Sequence, residues 1–104
     1  MSIGLSQAEV NYLFKHGTVL KYHRFGVKYI IKYKDRWYKI GYSGLFPNPE
    51  KIDGSYEITE EDAKYKIALT TTCWTKRTWE KAQKLFGWEP LDEYIAQRLE
   101  GERC

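Results

Sequence analysis

Apolar and polar residues alternate between Lys21 and Tyr42 with the two-residue period of a β-strand. Val27, Tyr29, Ile31 and Tyr33 fall on one side of such a strand, and Lys28, Ile30, Lys32 and Lys34 on the other. A tight turn at Asp35-Arg36 returns the chain as a second strand, with Tyr33 opposite Tyr38, Ile31 opposite Ile40 and Tyr29 opposite Tyr42. Thr18 to His23 supplies a third strand. With a two- or four-residue connection near Phe25-Gly26, Tyr22 faces Tyr29 and Leu20 faces Ile31. These pairings make a three-stranded antiparallel meander with consistent facing. One face is tyrosine and isoleucine. The other gathers Lys21, Lys28, Lys32, Lys34 and Lys39, with Val19, His23, Ile30 and Trp37 among them.

The flanking segments read as helices. Ser6-Gln7-Ala8-Glu9 is a capping box, Val10, Leu13 and Phe14 mark an apolar stripe, and Gly17 is a stop. Thr59 followed by Glu60, Glu61 and Asp62 opens a second helix, its carboxylates suited to the positive end of the dipole. That helix is read onward through residues 64–72, although Tyr65, Ile67 and Leu69 alternate as a strand would. Trp79, Ala82 and Phe86 recur at helical spacing before Gly87, and Pro90 starts a last helix carrying Leu91, Tyr94, Ile95 and Leu99. The expected fold is one α+β domain over residues 1–104, in the order α-β-β-β-α-α-α. Its helices, the Trp79-Ala82-Phe86 stripe included, are expected to cover the tyrosine face alone. Residues 43–57 are expected as a long surface connection in which Asp53-Gly54 suggests a small ribbon.

Composition sharpens this picture. Aromatic residues make up 16% of the 104 positions, which argues for a packed core rather than disorder. No run approaches a membrane span, and Met1-Ser2-Ile3-Gly4 lacks the basic and apolar regions of a signal peptide, so a soluble cytoplasmic protein is expected. Cys73 and Cys104 form no disulfide framework, and Cys73 is expected as a small buried hydrophobe. The net charge is only +3, but it comes in blocks. Residues 21–42 hold Lys/Arg against Asp35 alone, 43–62 are acidic, 63–87 are basic again and 88–104 are acidic. Such blocks create local fields that the total conceals.

Candidate chemistry is sparse. His16, His23, Cys73 and Cys104 lack metal-site spacing, so no metal or cofactor is expected. Neither a nucleophile elbow nor a glycine-rich phosphate loop is present, and the acids after Thr59 are accounted for as first-turn charges. The spacing from Ala82 to Gly87 is one residue too long for a helix-turn-helix, and Glu89, Asp92 and Glu93 would face phosphates. The order helix–strand–strand–strand–helix over about the first 70 residues is similar to the double-stranded-RNA-binding domain. That family's Gly-Pro-x-His loop is absent, and its Lys-Lys-x-Ala-Lys helix start is replaced by Thr59-Glu60-Glu61-Asp62, so no site carries over.

What remains is a non-enzymatic binding protein. Lys21, Lys28, Lys32, Lys34 and Lys39 would track phosphates or an acidic protein surface, and Trp37 would stack on a base or fill a partner pocket. Leu45 and Phe46 add an apolar tip on the long connection. Small size and the lack of catalytic chemistry leave an alternative: a phage- or mobile-element-type inhibitor that occludes a host protein such as a defence nuclease through the same face and this loop.

Overall fold

The computed structural model describes residues 4–23, 26–42, 52, 54–73 and 76–98. In chain order the elements are α1 (Gln7–His16), β1 (Thr18–His23), β2 (Val27–Tyr33), β3 (Arg36–Ile40), β4 (Tyr56–Ile58), α2 (Glu60–Cys73), α3 (Arg77–Phe86) and α4 (Leu91–Arg98). The strands form one antiparallel sheet in the order β1-β2-β3-β4. The protein is α+β with the expected element order, plus one short strand after the meander.

The facing of β2 and β3 is as expected, although their register is not. Two residues, Lys34 and Asp35, make the turn, so Tyr33 pairs with Arg36, Ile31 with Tyr38 and Tyr29 with Ile40. Lys34 takes the left-handed conformation there, at φ 56°. This displaces every pair by two positions, which leaves each side chain on its expected side.

β1 is reversed. His23 pairs with Val27, so three residues join the strands, ending at Gly26 with φ 107°. An odd connection exchanges the faces of the incoming strand. Leu20 therefore opposes Ile30, and Tyr22 opposes Lys28, while Val19, Lys21 and His23 lie on the tyrosine side.

Helices cover both faces, not one. α1 lies on the tyrosine face, where Val10 and Leu13 close over Ile31 and Ile40 with Val19, Tyr29 and Tyr42 around them. α2, α3 and α4 cover the face expected to be open. There Leu20, Tyr22, Ile30 and Trp37 pack with Ala63, Ile67, Trp79, Ala82, Trp88 and Tyr94. The Trp79-Ala82-Phe86 stripe thus covers the lysine-bearing side. Ile30 and Ile31 are adjacent, point to opposite faces and are both fully buried. That is the mark of a strand enclosed on both sides.

The capping box at α1 is formed: Ser6 Oγ accepts from Glu9 N, and Glu9 Oε1 accepts from Ser6 N at 3.0 Å. These bonds hold the Glu9 carboxyl below its ordinary pKa. At the other end Gly17 N donates to Leu13 O at 2.8 Å as the chain passes over β2. A Cβ on Gly17 would lie 2.5 Å from Ile31 Cγ2 and 2.9 Å from Leu13 O. Gly17→Ala should therefore lower stability by about 1–3 kcal/mol, read as an earlier urea midpoint.

Residues 64–72 are helical within α2, whose start is capped by Thr59 Oγ1 accepting from Asp62 N at 3.1 Å. This helix buries Ala63, Ile67, Ala68, Thr70 and Thr71. Thr70 Oγ1 donates to Lys66 O at 3.0 Å, but Thr71 Oγ1 has no partner among the described residues. Thr71→Val removes that hydroxyl at nearly constant shape, and should raise stability by about 1 kcal/mol in the same denaturation measurement.

Between β3 and β4, Tyr42 bridges to Ile52, and Ser55 Oγ bonds both Gly41 N and Gly41 O. Gly54 has φ 64°, but Ile52 and Tyr56 on either side both pair back to the β3 segment, at Tyr42 and Lys39, and not with each other as the expected ribbon requires. Asp53 lies outside the described residues, as does Cys104, and nothing is described of the Cys73 side chain. Among the described residues no helix is long and apolar enough to cross a membrane.

Candidate nucleic-acid interface

The six residues expected on one basic face, Lys21, Lys28, Lys32, Lys34, Trp37 and Lys39, do not share an open surface. Trp37 is the clearest departure, at 4% exposed. Its ring packs 4.8 Å from Phe86 and 5.2 Å from Trp88, centroid to centroid. Trp88 continues the stack to Trp79 at 5.7 Å, and Trp79 to Tyr94 at 5.1 Å. Trp79 Nε1 donates to Glu89 O at 3.2 Å, and Trp88 Nε1 to Glu60 Oε1 at 3.1 Å. Trp37 is a core residue joining the sheet to the helices and has no face open to a base.

Lys28, Lys32 and Lys39 share that side of the sheet and are half-buried. Lys32 Nζ lies 5.5 Å above the Trp37 ring, and Lys39 Nζ lies 5.3 Å above Tyr56. The Lys32 and Lys39 ammonium groups thus sit over aromatic rings, a cation–π placement on a half-buried face rather than an open basic surface. Lys34 sits in the β2–β3 turn with Nζ 5.4 Å from the Tyr33 ring centroid. Lys21 stands alone among the sheet lysines on the α1 side, exposed on the edge strand β1. Leu45 and Phe46 lie outside the described residues.

A different basic surface results. β1 is a sheet edge, and α3 packs along it. The exposed positions of β1 are Thr18, Lys21 and His23. α3 buries Thr78, Trp79 and Ala82, and its opposite side carries Arg77, Lys81 and Lys84, with Leu85 beside them at 45% exposed. Lys15 and His16 close α1 just before β1 begins. Glu80 is the one acid on α3.

The acids gather elsewhere. Glu57 is on β4, at the far edge of the sheet, and pairs with Arg36 at 3.7 Å. Glu60, Glu61 and Asp62 occupy the first turn of α2, and Asp92 and Glu93 that of α4. Trp88 and Tyr94 tie these two starts together through Glu60 and Glu61. Basic residues thus stand on the α1 side of β1 and on the outer side of α3, and acids in the first turns of α2 and α4, with Trp88 beside Lys84 reaching Glu60. The α3 contribution was missed in the sequence because Arg77, Lys81 and Lys84 were read only as part of a charge block. Their i, i+4, i+7 spacing opposite Trp79 and Ala82 was the available signal.

No protein-family model matches the chain, and no curated protein or solved structure does either. Among the described residues no three His, Cys, Asp or Glu side chains gather in a group that could hold a metal ion.

Proposed function

We propose that the chain is a non-enzymatic binding protein that docks the phosphate backbone of a nucleic acid against the basic edge formed by β1 and α3. The observation that carries this reading is the segregation of charge. Lys21, Lys81 and Lys84 stand exposed on two adjacent elements, whereas the acids of α2 and α4 are concentrated in the first turns of those helices. Lysines presented this way act as mobile point charges for phosphates and carry little sequence information. The expected binding is therefore weakly sequence-specific and strongly salt-dependent.

The test is anisotropy of a labelled duplex across a salt series. Three phosphate contacts imply a log–log slope of roughly −3. A slope near zero, or no binding at low salt, would overturn the reading. The inhibitor alternative depends on Leu45 and Phe46, outside the described residues, and the described surface gives it no separate support.

A further inference from the structure

A second surface lies across the sheet from α3. Between α1 and the β2–β3 hairpin runs an open groove of about 360 Å³, at the small end of ligand-pocket volumes. Tyr12, Tyr33 and Tyr38 line it, with Leu5 and Leu13 as apolar surface, and Glu9 is the only charged side chain among the described lining residues. Tyr12 and Tyr33 meet edge to face, their planes 87° apart and their centroids 5.5 Å apart. Their hydroxyls are 2.9 Å apart and hydrogen-bonded, which fixes the right-angled pair. That bond also raises the Tyr12 phenol above its ordinary pKa, so the ring stays neutral.

We propose that this groove binds a methylated ammonium group, held by the faces of the three tyrosines and by the Glu9 carboxylate. Electron-rich rings attract a cation through their quadrupoles, and quaternary ammonium is the cation that asks for no hydrogen bonds in return. An unmethylated ammonium keeps a hydration shell that apolar Leu5 and Leu13 do not replace, whereas a methylated one sheds it readily against the rings. Tyr33 already accepts a cation beside the groove, at the β2–β3 turn, where Lys34 Nζ lies 5.4 Å from its ring centroid. Glu9 Oε1 is occupied by Ser6 N, which orients the carboxylate without neutralising it. The site is separate from the basic edge and does not depend on nucleic-acid binding.

Choline is the probe, and the control is its neutral isostere with carbon in place of nitrogen. Each is titrated into isotope-labelled protein while the tyrosine ring signals are followed by NMR. Saturable choline shifts at Tyr12, Tyr33 and Tyr38 are expected, with affinity roughly tenfold above that of the isostere. Glu9→Gln preserves the capping box, because glutamine serves at that position, and should weaken choline several-fold with the fold intact. Tyr38→Leu should weaken it as well. No saturable shift, equal binding of choline and isostere, or unchanged choline affinity in Glu9→Gln would each overturn the proposal.

Discussion

Replacing Trp37 with alanine should remove about 3–5 kcal/mol of stability, enough to leave a domain of this size close to unfolding. The indole joins the sheet to the helical layer, touching Phe86 and Trp88 directly, and Trp88 carries the stack on to Trp79. Alanine would open a cavity bounded by rings that cannot all collapse into it, and would strip Lys32 of the ring its ammonium sits over. Trp37→Phe keeps part of the stack and should recover more than half of the loss. Urea denaturation followed by circular dichroism reads both. An alanine variant with an unchanged midpoint would show that the indole is not core. The same variant separates the buried Trp37 from the binding residue expected of it, since a surface anchor lost in this way costs affinity and leaves stability nearly unaltered.

That reversal of role shows where the sequence was legible. The strands β2 and β3, their facing and all four helices follow from periodicity and caps, because apolar residues recur at every second position on one face of Val27 to Tyr33 and Tyr38 to Ile40 and Ser6, Thr59 and Gly87 mark helix ends. The β2–β3 register slipped by two without consequence for facing. The β1–β2 connection differed by a single residue from the expected lengths, and that residue exchanged Leu20 and Tyr22 for Val19 and Lys21 on the buried three-helix side. Alternation cannot count the residues of a turn, so parity across it was open. β4 was missed because Tyr56-Glu57-Ile58 is only three residues long.

Lysine was the other source of error. Lys28, Lys32 and Lys39 alternate with apolar residues as solvent-facing positions would, yet they are half-buried on a covered face. The contrary signal was the adjacency of apolar residues in Val19-Leu20 and Tyr29-Ile30-Ile31. A sheet with one wet face has no need for neighbours of that kind. Trp37 belongs with that signal: it pairs with Ile58 on β4 and lies diagonally from Ile30 on β2, with Lys32 directly opposite.

Reversing Lys21, Lys81 and Lys84 to glutamate should lower duplex affinity by roughly 100-fold or more at low salt and flatten its salt dependence. The three side chains are exposed, so each change should move stability by only about half a kcal/mol. Net charge falls in any such variant, and a control must separate location from total charge. Lys64 and Lys66 serve: they belong to α2, are half-buried, and Lys64 Nζ lies 6.0 Å from the Trp88 centroid. Lys64 and Lys66 would not themselves touch a backbone lying on β1 and α3, and screening at physiological ionic strength, with a Debye length of about 8 Å, weakens their influence further. The charge-matched comparison is with Lys81 and Lys84 changed to glutamine: the α2 pair changed to glutamine should keep affinity within about threefold at that salt, against roughly tenfold or greater loss for this edge variant. Equal losses in the two variants would reduce the interaction to bulk charge. Retained affinity in the edge variant, with its fold confirmed by circular dichroism, would remove β1 and α3 as the interface altogether.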